Sequence, residues 1–177
     1  MNLIEWVELP DLGDHRGSLV VAEANKSIPF NIQRLYYIFG AQPDVPRGFH
    51  AHRQLQQIAF CIQGSCKMLM DSGKEKQEVV LCQPNQGLKI PPMVWHEMHD
   101  FSEDCVLLVL ASEHYDETDY IRDYDDFLNK VIIVELIQLF LPLLFYLNSL
   151  LAMHIEWLQE LLTSKKQMTK YQIYFRL

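Results

Sequence analysis

Two histidines one residue apart, His50 and His52, follow a tight Pro46-Arg47-Gly48 sequence. An extended chain turns alternate side chains to the same side, so a strand beginning near Gly48 presents both imidazoles on one face. Imidazole is the side chain whose unperturbed proton affinity lies near neutrality, and it serves either as a metal ligand or as a general acid or base. A lone buried histidine is ordinarily a core residue; a pair at this spacing marks a site. Arg47 adjoins the pair as a cation for phosphate or enolate oxygens, with a plain surface arginine as the alternative. Arg34 and Tyr36 share parity in the run 32–39 and are candidates to reach the same interior, while Tyr37 takes the other side. His96, in Trp95-His96-Glu97, is a third imidazole.

The elements that must position these groups are short. Apolar runs at 18–23, 32–39, 55–62, 65–71, 77–82, 87–91, 94–99 and 104–111 are separated by turn residues such as Gly40, Gln63-Gly64 and Asp71-Ser72-Gly73. Strands this brief, spaced this regularly and rich in Val, Ile, Phe and Cys, predict an all-β sandwich or barrel. After residue 112 an acidic, aromatic stretch predicts a loop and a short helix. Residues 128–162 then form a leucine-dense, glycine-free run with Pro142 inside it. The expectation there is two amphipathic helices divided at Pro142, each burying an apolar face. A membrane span is the less favoured alternative, because Glu135, Gln138, Pro142 and Asn148 interrupt the apolar run.

His50-x-His52, four residues, Gln57, six residues and Gly64 resemble the first motif of the cupin barrel, in which a Glu stands where Gln57 stands. Gly87…Pro91-x-Met93-x-x-His96-x-x-x-Asp100 resembles the second. The cupin resemblance implies a jelly-roll barrel with its site in the mouth. His50, His52 and His96 could together ligate a divalent ion, although an amide at Gln57 is a poorer fourth ligand than a carboxylate. Longer strings carry a closer likeness. DHRGSLVVAEANKSIPF, QRLYYIF, PRGFHAH, QGSCKMLMD and PPMVWHEMHDFSEDCVLLVLASEHYDETDYIRDYDDF resemble the nucleotide-sugar 3,4-ketoisomerases of the WxcM-like group over residues ~8–127.

That resemblance implies a metal-independent, cofactor-free enzyme acting on dTDP-4-keto-6-deoxy-D-glucose. The expected route is an enediol(ate), with His50 as the base and His52 as acid, shuttle or oxyanion donor, and with Arg16, Arg34, Tyr36, Arg47 and His96 contacting substrate. It also implies a homodimer that exchanges an N-terminal strand. The pairing of Arg16 with His96 resembles the branch whose 3-keto product is galactose-configured at C4, and such a sugar would feed a 3-amino-3,6-dideoxyhexose for surface polysaccharide. Rival readings are a metal-dependent cupin such as a dioxygenase, a non-catalytic sugar-nucleotide-binding module, and a related epimerase acting at C3 and C5.

Composition sets the outer bounds. The 177 residues carry a formal net charge of −8, which opposes general nucleic-acid or anionic-membrane binding by repulsion from phosphate. The charge is uneven: 1–126 sums to −10 and 127–177 to +2. These ranges are the expected cupin domain and a helical appendage. Cys61, Cys66, Cys82 and Cys105 are irregularly spaced, and the opening MNLIEWVELPDLGD is acidic and broken by proline. Both features predict reduced thiols in a cytoplasmic protein. Trp6, Trp95 and Trp157 are expected in packing roles, and His15, His99, His114 and His154 outside any ligand set.

Overall fold

The computed structural model describes residues 2–174, with side chains described to residue 156 and at Gln159. Ten strands form two antiparallel sheets. Their ranges are β1 (Trp6–Glu8), β2 (Arg34–Phe39), β3 (Arg47–His52), β4 (Gln57–Gln63), β5 (Cys66–Asp71), β6 (Lys76–Leu81), β7 (Gln86–Ile90), β8 (Trp95–His99), β9 (Val106–Ala111) and β10 (Tyr120–Ile121). One sheet has the order β1-β7-β4-β9-β2 and the other β10-β3-β8-β5-β6. A helix, α1, spans Tyr124–Tyr174. The strands and helix divide into two compact units, one ending at Val131 and the other starting at Ile132.

Burial explains which sequence runs became which strands. β4 lies in the middle of its sheet and is buried on both faces, so it reads as an unbroken apolar run. Ala59 and Cys61 face the interior with Leu88, Leu107 and Val109. Ile58 and Phe60 face the other way, beneath Val7, Leu9, Ile28 and Phe30. Edge strand β2 alternates half-buried and exposed residues along its length, as a strand with one dry face must. Gly87 has no side chain because Phe60 occupies the space: a Cβ there would lie 2.5 Å from the ring.

Three expectations are corrected. No strand forms over 18–23; Val20 makes only an isolated bridge to Asp11, with Leu19 and Val21 exposed beside it. The run has strand composition but no neighbouring strand in this chain to satisfy its backbone. Trp6–Glu8 and Tyr120–Ile121, by contrast, are strands too short for periodicity to register. Finally, α1 is one helix rather than two, and continues through Pro142. Asp123 starts it, accepting the Asp126 N–H at 2.7 Å, with Asp125 and Asp126 in the first turn where the helix dipole favours acids.

The first turns of α1 complete the first unit. Phe127 packs with Ala51, Trp95 and Ile121 on the outer face of the second sheet, flanked by Tyr124, Leu128 and Val131. The Tyr124 hydroxyl donates to buried Asp71 at 2.6 Å, and Lys76 pairs with the same carboxylate at 3.1 Å. Burying Ala51 and Trp95 outward obliges their neighbours His50, His52 and His96 to face inward. Trp157 lies outside the residues whose side chains are described.

β3 joins β8 with an irregularity that matters to the interior. Arg47 faces Met98, Gly48 faces Glu97 and His50 faces His96, the register shifting at Phe49. Gly48 has φ +93°, and a Cβ on it would come within 2.8 Å of the His96 carbonyl oxygen. A Gly48→Ala substitution is therefore strained twice, by dihedral and by contact. It is expected to lower unfolding free energy by about 1–3 kcal/mol in denaturant titration.

Candidate active site

The shift at Phe49, where φ is +54°, is a bulge that re-aims the strand. It sets His50, His52 and His96 around one point. The His50 ring centroid lies 4.9 Å from that of His52 and 4.4 Å from that of His96. Tyr120 on β10 closes the group, 4.3 Å from His52 and 4.9 Å from His50. One ring nitrogen from each of the three histidines falls within 4.8 Å of the others. These three could therefore hold a metal ion. At the fourth cupin position the Gln57 amide nitrogen donates to the Tyr36 hydroxyl at 3.1 Å, and its oxygen is a poorer ligand than the carboxylate a Glu would offer.

The hydrogen bonds fix the tautomers. A carbonyl oxygen only accepts, so His50 Nδ1, 3.0 Å from the Gly48 oxygen, carries a proton. His52 Nδ1 likewise donates to the Asp119 carboxylate at 2.9 Å. In the neutral rings both Nε2 atoms then hold lone pairs. His52 Nε2, His96 Nε2, Gln57 Oε1 and Arg34 Nε are buried polar atoms without a hydrogen-bond partner among the described residues. Orphaned polar atoms are rare in a core and costly. Their convergence here is what a ligand-binding site requires.

The environment keeps the imidazoles neutral. Burial lowers the His50 pKa, against an opposing pull from the Gly48 carbonyl. His52 is pushed down to about 4, first by burial and then by the neighbouring His50, with Asp119 pulling the other way. His96, fully enclosed, lies well below the ordinary histidine value because of burial and the other two rings. Burial also raises the Tyr36 phenol to about 12, so it remains a hydrogen-bond donor.

Two adjoining cavities open on this group. One, of about 350 Å³, is lined by Arg34, Tyr36, Arg47, His50, Tyr115, Tyr120 and Arg122 among others. The other, about 260 Å³, shares Arg34, Tyr115 and Tyr120 and adds His52 and Asp119 with the acids Glu113 and Asp116. Cations thus gather on the first side and carboxylates on the second. Arg34 lies 5.4 Å from the Tyr36 ring and 5.6 Å from that of Tyr115. Arg122 stacks 4.2 Å over Tyr120 and is paired with Glu117 at 2.8 Å. That pairing and the Tyr115 hydroxyl hold Glu117 down to about 2.

Of the residues expected from sequence, His50, His52, His96, Arg34, Tyr36 and Arg47 come together. Tyr37 points outward as its parity required. Arg16 does not join them: it is exposed, bonded to Asp14 at 2.6 Å, and lines neither cavity. His99 is bonded to Glu97, and His114 is exposed, lines the smaller cavity and belongs to no ligand cluster among the described residues. The residues missed were Tyr115, Asp119, Tyr120 and Arg122. They sit in the Tyr-Asp-Glu-Thr-Asp-Tyr-Ile-Arg string, whose unusual composition was the available signal.

His52 is neutral in the fold and has an ordinary histidine's proton affinity when unfolded, so the unfolded state binds more protons between pH ~6.5 and ~4. Stability is complete above that window and is lost as pH falls through it. Denaturant unfolding is expected to lose about 2 kcal/mol at pH 5 relative to pH 7 through His52 alone, with His50 adding in the same direction. Asp119→Asn removes the group that orients this ring, and NMR titration is expected to find the His52 proton affinity lower still.

The comparisons with known proteins converge. The family described as FdtA: WxcM-like, C-terminal matches residues 2–132. The TDP-4-oxo-6-deoxy-alpha-D-glucose-3,4-oxoisomerase of Aneurinibacillus thermoaerophilus is 59% identical over 114 residues, 64% of this chain and 82% of that protein. Among solved structures, the 3,4-ketoisomerase QdtA from Thermoanaerobacterium thermosaccharolyticum, in complex with TDP, superposes with a TM-score of 0.72 at 44% identity, covering 73% of this chain and 94% of its own. The WlaRB TDP-quinovose 3,4-ketoisomerase from Campylobacter jejuni gives 0.70 at 43% identity, covering 73% and 99%. A dTDP-4-dehydrorhamnose 3,5-epimerase from Bacillus anthracis str. Ames, at 14% identity and a TM-score of 0.59 over 66% of this chain and 76% of its own, shares the fold alone. With its two-sheet cupin barrel, its clustered histidines and a family match over residues 2–132, the chain belongs to the FdtA family of WxcM-like proteins.

Proposed function

We propose that this chain is a 3,4-ketoisomerase of TDP-4-keto-6-deoxyglucose that works without a metal or redox cofactor. The observation that carries the reading is a pair of neutral imidazoles, His50 and His52, with their Nδ1 atoms tied down and Nε2 available, beside a cavity holding Arg34, Arg47 and Arg122. Curated and solved relatives bearing this activity support the substrate.

The chemistry needs only proton transfer. The C4 carbonyl acidifies the C3–H, and His50 Nε2 takes that proton as the electron pair moves onto the C4 oxygen. Cations and O–H donors around the cavity, Arg34 and Tyr36 foremost, stabilise the oxyanion that develops there. The His50 imidazolium returns that proton to the C4 oxygen, giving the enediol. His52 Nε2 then takes the O3–H proton as C3 becomes the carbonyl, and the imidazolium so formed delivers it to C4, leaving both rings neutral. Asp119 favours the imidazolium that His52 must pass through. Arginines on the same side meet the diphosphate, so a locally basic wall offsets the acidic protein.

Two finer statements belong to this reading. The product is galactose-configured at C4, supported by His96 against His50 and by the Arg16–His96 combination. The working form is a homodimer exchanging N-terminal segments. Supporting it, β2 is an edge strand with Leu35, Tyr37 and Phe39 exposed in a row, and Leu19 and Val21 are exposed on the segment that would be exchanged. Arg16 enters the site only through such a second copy. The setting is cytoplasmic, which the four free thiols support, and the 3-keto product suits an aminotransferase making a 3-amino sugar.

Incubation with the 4-keto substrate in heavy water, followed by NMR, is expected to give a 3-keto product carrying deuterium at C4, whose configuration reports the epimer. His50→Asn and His52→Asn should each lower turnover by about 10²–10⁴-fold while retaining nucleotide binding. Absence of both exchange and product would refute the reaction. The rival favoured by one observation, the three clustered ring nitrogens, is a metal-dependent cupin. Stoichiometric iron, manganese or zinc in active protein, with activity lost on chelation, would establish it instead.

A further inference from the structure

Beyond the first unit, the described part of α1 has no polar face. From Leu136 to Ile155 the sequence runs 20 residues without Asp, Glu, Lys or Arg. All side chains from Leu136 to Glu156 are exposed, among them Leu139, Phe140, Leu141, Leu144, Phe145 and Met153. Successive residues advance by about 100° around a helix, so these six cover its whole circumference. A helix seated on a protein surface needs an apolar stripe; one apolar all round belongs in the middle of a large core or in lipid.

Length separates those two. Twenty residues at 1.5 Å each span about 30 Å, the thickness of a bilayer's hydrocarbon layer. A core helix of that composition would be buried, and none of this apolar stretch is. Nor does it lie near the N-terminus, where a secretion signal would. Two of its interruptions are of kinds lipid tolerates: the Ser149 hydroxyl donates to the Tyr146 carbonyl of its own helix at 2.8 Å, and proline, as at Pro142, occurs in membrane helices more often than in soluble ones. Gln138, Asn148 and His154 add polar groups without a formal charge, which cost less in lipid than a charged side chain. Glu135 lies just outside the uncharged stretch. Beyond its other end Glu156 and Glu160 come first, and then a basic run, Lys165, Lys166 and Lys170, in a protein that is otherwise acidic. Such a run suits the anionic headgroups of a membrane surface. This stretch falls outside the residues 2–132 that match the family, so the family's chemistry gives it no role.

We propose that residues 136–155 occupy a lipid bilayer and tether the enzyme to a membrane, with the basic run that follows lying among anionic headgroups. The occupant is lipid rather than a protein groove, because no side of the helix is reserved for water. The inference is independent of the reaction assigned above.

The test uses the full chain, purified in detergent and reconstituted with vesicles of phosphatidylcholine and phosphatidylglycerol. On flotation the protein is expected to rise with the vesicles, to stay there through high salt and alkaline carbonate, and to be released by detergent. A variant carrying Leu141→Lys, Leu144→Lys and Leu147→Lys places charges mid-span, and its ratio of bound to free protein should drop at least about tenfold. Three results overturn the proposal: a full chain that stays below the gradient as a soluble oligomer, binding stripped by salt, or equal flotation of the triple variant. Turnover measured in detergent reports separately on the ketoisomerase reading, so the failure of one is distinguishable from the failure of the other.

Discussion

The whole site depends on keeping three imidazoles uncharged while they touch one another. Protonating any one would place a cation against two neighbours in a buried space; burial lowers the proton affinity of all three, and neighbouring rings lower those of His52 and His96 further. The arrangement is stable only because β3 and β8 are held rigidly in register by what lies behind them. Ala51 and Trp95 are clamped from outside by Ile121 and Phe127, so inward and outward faces cannot slip without exposing one set and burying the wrong one.

Asp119 illustrates how such a site is tuned. Its carboxylate holds His52 through Nδ1, and its two oxygens also accept the backbone N–H groups of Gln54 and Leu55, at 2.9 and 3.4 Å. The same residue thus orients a side chain and ties the end of β3 to the turn leading into β4. Because it lies 67 residues from His52 in sequence, no spacing rule links the two.

That distance marks what could be read beforehand. The histidine pair, its facing and the parity of Arg34, Tyr36 and Tyr37 followed from the two-residue period of a strand, which is local. The jelly-roll class followed from short apolar runs broken by turns. Asp119, Tyr120 and Arg122 were not legible as site residues because a two-residue strand and a one-turn 3-10 helix carry no periodicity; only tertiary pairing of Tyr120 with His52 brings them in. The segment 18–23 erred in the opposite direction, its strand-like composition lacking a neighbour within one chain. Pro142 suggests a division because it removes one backbone hydrogen bond, whereas α1 has several turns on either side of it to carry the helix through.

The position of β10 in the chain has a consequence for assembly. A ribosome releases the N-terminal parts first, so β3, β4, β8 and β9 emerge ahead of residues 115–122. Until those residues and Phe127 arrive, Ala51 and Trp95 lack the outer cluster that fixes their facing, and His52 lacks its carboxylate. The site therefore becomes competent late in synthesis, with the last short strand of the barrel, and just ahead of the apolar helix that follows it.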